Sequence, residues 1–141
     1  QRTNKIAQTQ IIWSLKQIGV TVHAVPVPRG AQHLLGLLQI VDKNLALVRI
    51  EKAPKPLLDL LKKMKFKILP VPETEDVKLR QGFNIVTIKS RNIIMPSNCP
   101  ALRTWYEKNG LTILAEVEIS ELLKGGGGLA CATGILNRSS Q

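Results

Sequence analysis

Three stretches of this chain repeat one plan at a spacing of about 45 residues, and that period limits the folds open to it more than any single motif does. Residues 6–18 have helical periodicity, end at Gly19 and run into the alternating segment 20–27. Residues 56–65 read as a second helix followed by a strand at 66–71. Residues 100–109 read as a third, closed by Gly110 and followed by a strand at 111–119. Between these units lie two strand pairs, 34–41 turning at Asp42-Lys43-Asn44 into 45–50, and 84–88 turning at Lys89-Ser90-Arg91-Asn92 into 93–95. A third pair begins at Leu129, as the start of an apolar strand over 129–136. The spacing predicts an α/β fold of about two and a half strand-strand-helix-strand modules. Such modules bury their faces against one another, and so few of them leave sheet edges open at both ends. Another chain, or sequence beyond these 141 residues, is expected to cover those edges. The chain also lacks an initiator Met before Gln1, which agrees with a piece of a longer protein.

A hydrophobic fraction of 44% suffices for one domain with a real core. The two cysteines, Cys99 and Cys131, lie in unrelated contexts, so the sequence suggests no disulfide framework and points to a reducing compartment, the cytoplasm. No apolar run approaches the roughly 20 residues that span a bilayer, and no membrane association is expected. The net charge of +10 favours anionic partners. Its densest cluster, Lys55, Lys62, Lys63, Lys65 and Lys67, surrounds the apolar positions of residues 56–61 and so reads as the wet face of an amphipathic helix. With aromatics at 4% there is no stacking platform to accompany the charge, and the chain is not read as a nucleic-acid binder. No cluster has metal-ligand spacing, and the glycine run 125–128 lacks the Lys-Ser/Thr that completes a phosphate-binding loop. No metal or cofactor is expected.

Chemistry concentrates near that glycine run. Cys131 follows it closely, and glycines leave exposed N–H groups and room for a small substrate to approach a thiolate. A buried, inert thiol in an apolar strand remains the other reading of the same residues. Of the two histidines, His23 lies on the polar side of an alternating segment with Thr21 and is expected to face solvent. His33 follows the loop containing Pro26, Pro28, Arg29 and Gly30, where a side chain can point into a cleft. His33 and Cys131 occupy similar module positions about two modules apart, so an arrangement of modules around an axis would bring them together. Cys99, between Asn98 and Pro100, reads as a turn residue.

Arg2-Thr3-Asn4 before a helix, His33-Leu34, and Ser120-Glu121-Leu122-Leu123-Lys124 leading to Gly127 and Cys131 give the chain a resemblance to the C-terminal half of the dimethylarginine dimethylaminohydrolases. The resemblance spans essentially the whole chain. These enzymes belong to the guanidino-group-modifying, or amidinotransferase, superfamily with the pentein fold, a five-bladed α/β propeller with its active site on the axis. The resemblance implies that residues 1–141 are the C-terminal part of a single propeller domain whose N-terminal half is absent. It also implies a hydrolase that cleaves the guanidino C–N bond of N-methylated arginine or a related compound through a covalent cysteine intermediate. In that implied scheme Cys131 is the nucleophile, His33 the general acid/base, and Arg2 and Gly127 contact the substrate. Carboxylates that grip the guanidinium come largely from the other half in this family, so the fragment alone is expected to be inactive. Leu35 stands where arginine deiminases of the superfamily carry an Asp, which argues against that activity. A homo-oligomer is compatible with this picture. The alternative is a non-catalytic pentein-like binding protein with a basic surface, which would have no need of Arg2, His33 and Cys131 together.

Overall fold

The computed structural model describes residues 3–137. After helix α1 (Lys5–Lys16), the chain builds one unit twice. The first comprises β1 (Leu38–Asp42), β2 (Leu45–Val48), α2 (Lys55–Lys63) and β3 (Lys67–Pro70). A one-turn helix, α3 (Glu75–Lys78), leads to the second: β4 (Val86–Lys89), β5 (Asn92–Pro96), α4 (Pro100–Lys108) and β6 (Thr112–Val117). The short helix α5 (Ser120–Lys124) follows. In each unit a hairpin pairs antiparallel, and the helix carries the chain back to lay the third strand parallel to the hairpin's second strand. The strand orders are therefore β1-β2-β3 and β4-β5-β6, two small sheets with the same topology. This is the strand-strand-helix-strand module expected from the sequence.

The alternation along β2 explains how the units pack. All four of its residues are buried because both faces are covered, which is why the segment is continuously apolar. Ala46 and Val48 pack against Leu57 and Leu61 of α2, whereas Leu45 and Leu47 face a core shared with the second unit, including Ile85, Ile93, Met95 and Tyr106. Lys55, Lys62, Lys63, Lys65 and Lys67 are exposed, as the amphipathic reading requires. Both main helices begin with proline in the first turn, where its missing N–H costs nothing. Asp76 of α3, 3% exposed, accepts the Leu102 N–H at 3.0 Å and pairs with Arg80. It thereby supplies the start of α4 with the side-chain acceptor that Cys99 at the cap does not provide. Cys99 is a core residue as well as a turn residue, and burial pushes its thiol up to about 11.

The inner strands β1 and β4 sit side by side without a backbone ladder. Gln39 Nε2 donates to the Phe83 carbonyl (3.1 Å) and Thr87 Oγ1 to the Ile40 carbonyl (3.4 Å). At the far end Asp42 accepts from Ser90 Oγ (2.7 Å) and Arg91 Nε (2.8 Å), tying one hairpin turn to the other. These bonds hold the Asp42 carboxyl down from 3.8 to about 2, with the Arg91 hydrogen bond contributing most. A lowered folded-state pKa means that the stabilisation is present above the unfolded value and is lost as pH falls through about 2. Asp42→Asn should therefore lower the urea midpoint at neutral pH, and the gap from wild type should close as the titration approaches pH 2. A gap unchanged by acid would assign the effect to packing.

The helix-to-strand turns differ in one instructive way. After α4 the left-handed position is Gly110 (φ +77°), whereas the matching position after α2 is Lys65 (φ +61°). A left-handed conformation costs a side-chain-bearing residue about 1–2 kcal/mol, and glycine's extra chain entropy offsets about 0.5–1 of that. Lys65→Gly should raise stability by up to about 1 kcal/mol in urea denaturation. A loss of stability would show that the lysine stem contributes packing larger than the strain.

Three expectations need correction. Residues 20–27 are not a strand, because no strand among the described residues lies beside them; Val25 alone of this stretch packs against the core around α2. Helix α1 likewise buries no residue, leaving Ile6 and Trp13 exposed. Residues 34–36 form a 3-10 turn, with β1 starting at Leu38, because the partner strand β2 ends at Val48. The apolar run 129–136 is not a strand either. Leu129 anchors on Val86 and Ile119, Ala130–Ala132 make a 3-10 turn, and Ile135 and Leu136 are exposed.

Candidate active site

Repetition of the module places equivalent segments at one end of the sheets. Residues 28–37 enter β1, residues 81–84 enter β4, and residues 126–132 follow α5 where a third hairpin was expected to begin. The three segments line a 680 Å³ cavity, with Arg49, Glu51 and Lys52 completing its wall. His33 and Cys131 both line it, despite their distance in sequence.

The sulfur is presented by a chain of local constraints. Leu122 and Leu123 carbonyls accept from the N–H groups of residues 125–127, closing α5, and Gly126 takes φ +74° as the chain reverses. Leu129 then docks in the small core beside Val86, so the following 3-10 turn carries Cys131 out into the cavity. Cys131 is exposed, with no disulfide. Hydrogen bonding at the Gly128 backbone and then to the Asn84 side chain holds its thiol below the ordinary value, against a smaller opposing effect of burial. The direction is opposite to that of Cys99, so the two thiols differ in kind.

Asn84 is the residue that sequence reasoning missed. Its Oδ1 accepts the Ala130 N–H at 2.7 Å, and its Nδ2 donates to Cys131 Sγ at 3.3 Å. The segment carrying it is fixed from several sides: Tyr106 donates its hydroxyl to the Gly82 carbonyl, Gly82 N–H donates to the Asp76 carbonyl, and Gln39 holds Phe83. Gly128 allows the approach, since a Cβ there would lie 2.5 Å from Asn84 Nδ2. Module phase was the available signal, because Asn84 enters β4 much as the segment with His33 enters β1.

Arg49, also on the cavity wall, makes two 2.6 Å bonds to Glu73 and a third to the Gly36 carbonyl (3.2 Å). Its guanidinium keeps the Glu73 carboxyl below the usual range. This pair braces the turn after His33. Lys52 stands 3.8 Å from Glu73, and Arg29 and Glu51 lie on the cavity wall. His23 is exposed and is not among the lining residues. Gly127 donates its N–H to the Leu122 carbonyl, and within the run it is Gly126 that lines the cavity. Arg2 lies outside the described residues. Among the described residues, no helix is long and apolar enough to cross a membrane.

No family model matches the chain. Over 133 residues it is 28% identical to an uncharacterized protein, YkgA, of Bacillus subtilis (strain 168), covering 94% of this chain and 44% of that protein. Its architecture aligns with an amidinotransferase of saxitoxin biosynthesis from Microseira wollei (TM-score 0.77, 18% identity, 99% of this chain and 40% of that one). It aligns with the inosamine-phosphate amidinotransferase of Streptomyces griseus (TM-score 0.73, 20% identity, 96% and 41%). The dimethylarginine dimethylaminohydrolase of Pseudomonas aeruginosa, in complex with citrulline, aligns at TM-score 0.67 with 25% identity (90% and 45%). The fold is that of part of a pentein propeller. The chain's two sheets are two blades of that propeller fold, and the chain spans less than half the length of each of these proteins.

Proposed function

We propose that this pentein segment carries the nucleophile side of a guanidino-modifying active site, and that the complete protein hydrolyses an N-methylated arginine or a related guanidino compound. The observation that carries the reading is that an exposed thiol of lowered pKa and an imidazole line the same cavity. Similarity to dimethylarginine dimethylaminohydrolases and amidinotransferases supports guanidino chemistry.

In this scheme the Cys131 thiolate attacks the guanidinium carbon, forming a C–S bond. His33 gives a proton to the departing amine as its C–N bond breaks, because an unprotonated alkylamine is a poor leaving group. Water attacks the remaining thiouronium as His33 takes one of its protons; collapse returns the thiolate, and the ureido product forms as the second proton passes to solvent or to the freed amine. Arg2 pairs with the substrate carboxylate through its planar fork, and Gly127 contributes to the substrate site beside the sulfur. The carboxylates that grip the guanidinium come from the rest of the propeller. That part, supplied by further sequence or by another chain, completes the ring.

Two proteins of the same fold are amidinotransferases, which suggests a second reading, in which the bond to the nitrogen that carries the substrate's main chain breaks instead. The main-chain amine then departs, and the amidino group, with any N-methyl substituent, remains on sulfur and passes to an acceptor amine. Incubating the complete protein with N-methylated arginine and measuring free methylamine and citrulline tests the choice. Both products are expected. Amidino transfer that requires an acceptor amine, with no citrulline, would replace hydrolysis by transfer.

A further inference from the structure

We propose that Asn84 is the positioning residue of this site, setting both the place and the ionisation of the Cys131 thiol through one side-chain amide. The proposal rests on the reading of Cys131 as nucleophile and adds a residue to it from a different blade. The orientation of the amide is decided by chemistry. Ala130 N–H is a donor and needs the amide oxygen, so the NH₂ must be the group 3.3 Å from Cys131 Sγ. A thiolate accepts such a bond far better than a thiol does, so this donor favours the charged form.

The same amide thus has two separable duties. Its oxygen fixes the backbone of the 3-10 turn one residue before the nucleophile, and its nitrogen lowers the cost of forming the anion. The surrounding design agrees. Asn84 is held on the entry to β4 by an N–H bond to the Gln81 carbonyl (2.7 Å) and by the bonds to Gly82 and Phe83. The facing position is Gly128, where any side chain would overlap the amide.

Substitution separates the duties. Asn84→Asp keeps an acceptor for Ala130 but replaces the donor with an anion beside sulfur. Asn84→Ala removes both. Gly128→Ala leaves Asn84 in the sequence but drives its amide away. In the complete protein, the pH dependence of Cys131 alkylation by iodoacetamide, followed on its own peptide by mass spectrometry, reads the thiolate directly and distinguishes it from Cys99. We expect the Cys131 titration to move up in all three variants and furthest in Asn84→Asp, where alkylation at pH 7 falls by about tenfold or more. Thermal melts of Asn84→Asp should stay nearer to wild type than those of Asn84→Ala, since the Ala130 bond survives.

An unchanged alkylation profile in folded Asn84→Asp or Gly128→Ala would overturn the proposal. The underlying reading fails separately: if Cys131→Ser leaves amine release intact, Cys131 is not the nucleophile, whatever Asn84 does to its titration.

Discussion

In the complete protein, Cys131→Ser is expected to abolish amine release from a guanidino substrate, by about 10⁴-fold or more in kcat. The guanidinium carbon is a weak electrophile because its positive charge is shared with three nitrogens, so the attacking atom must be both anionic and highly nucleophilic. Cys131 has the means to be anionic: hydrogen bonds at Gly128 and Asn84 lower its pKa while its exposure leaves it open to substrate. A serine in the same place keeps the geometry but ionises far too weakly. Substrate binding should survive the change, since the sulfur is not what holds a guanidinium. A Cys131→Ser protein with wild-type turnover would remove covalent catalysis from the account.

His33→Ala should be nearly as damaging and for a different reason. General acid–base catalysis contributes about 10²–10⁴-fold, and in the proposed scheme one imidazole serves both half-reactions, so kcat should fall by at least that range. Loss of the proton donor slows departure of the amine, and loss of the base slows attack by water on the thiouronium. Added imidazole should recover part of the rate, because the vacated position opens on the 680 Å³ cavity. Arg2→Ala, by contrast, should raise KM for amino-acid substrates with little effect on kcat. If imidazole restores nothing and the pH profile of kcat is unchanged, His33 is a cavity-lining residue without a proton-transfer role.

Much of this architecture could be read in the sequence because its cause is periodic. Proline-started amphipathic helices, glycine or lysine turns after them and apolar strands recur with the module, so the two blades were legible with shifts of a few residues at their ends. Segment 20–27 failed because alternation describes a strand's faces and says nothing about whether a neighbour exists to pair with it. The run 129–136 failed for a related reason. Apolarity of Leu129 and Ala130 reflects packing on Val86 and Ile119, whereas Ile135 and Leu136 are exposed. Among site residues, His33 and Cys131 were visible because their side chains are chemically distinctive. Asn84 was not, since an asparagine before an apolar strand ordinarily signals a turn, and only the bonds to Ala130 and Cys131 reveal its use. Gly127 stood out within a glycine run whose members play different parts. Gly126 reverses the chain at the cavity, and Gly128 clears space for Asn84.

The most direct test of the central claim is to trap the intermediate. The complete protein would be mixed with N-methylated arginine, quenched in acid during turnover and digested for peptide mass spectrometry. The peptide containing Cys131 should carry the substrate less its departing methylamine, and Cys131→Ser should lose that mass shift. An N-methylamidino group at Cys131, without the rest of the amino acid, would assign the chemistry to transfer. A protein that consumes the substrate while Cys131 never gains mass, or whose adduct forms on another residue, would contradict the proposed nucleophile.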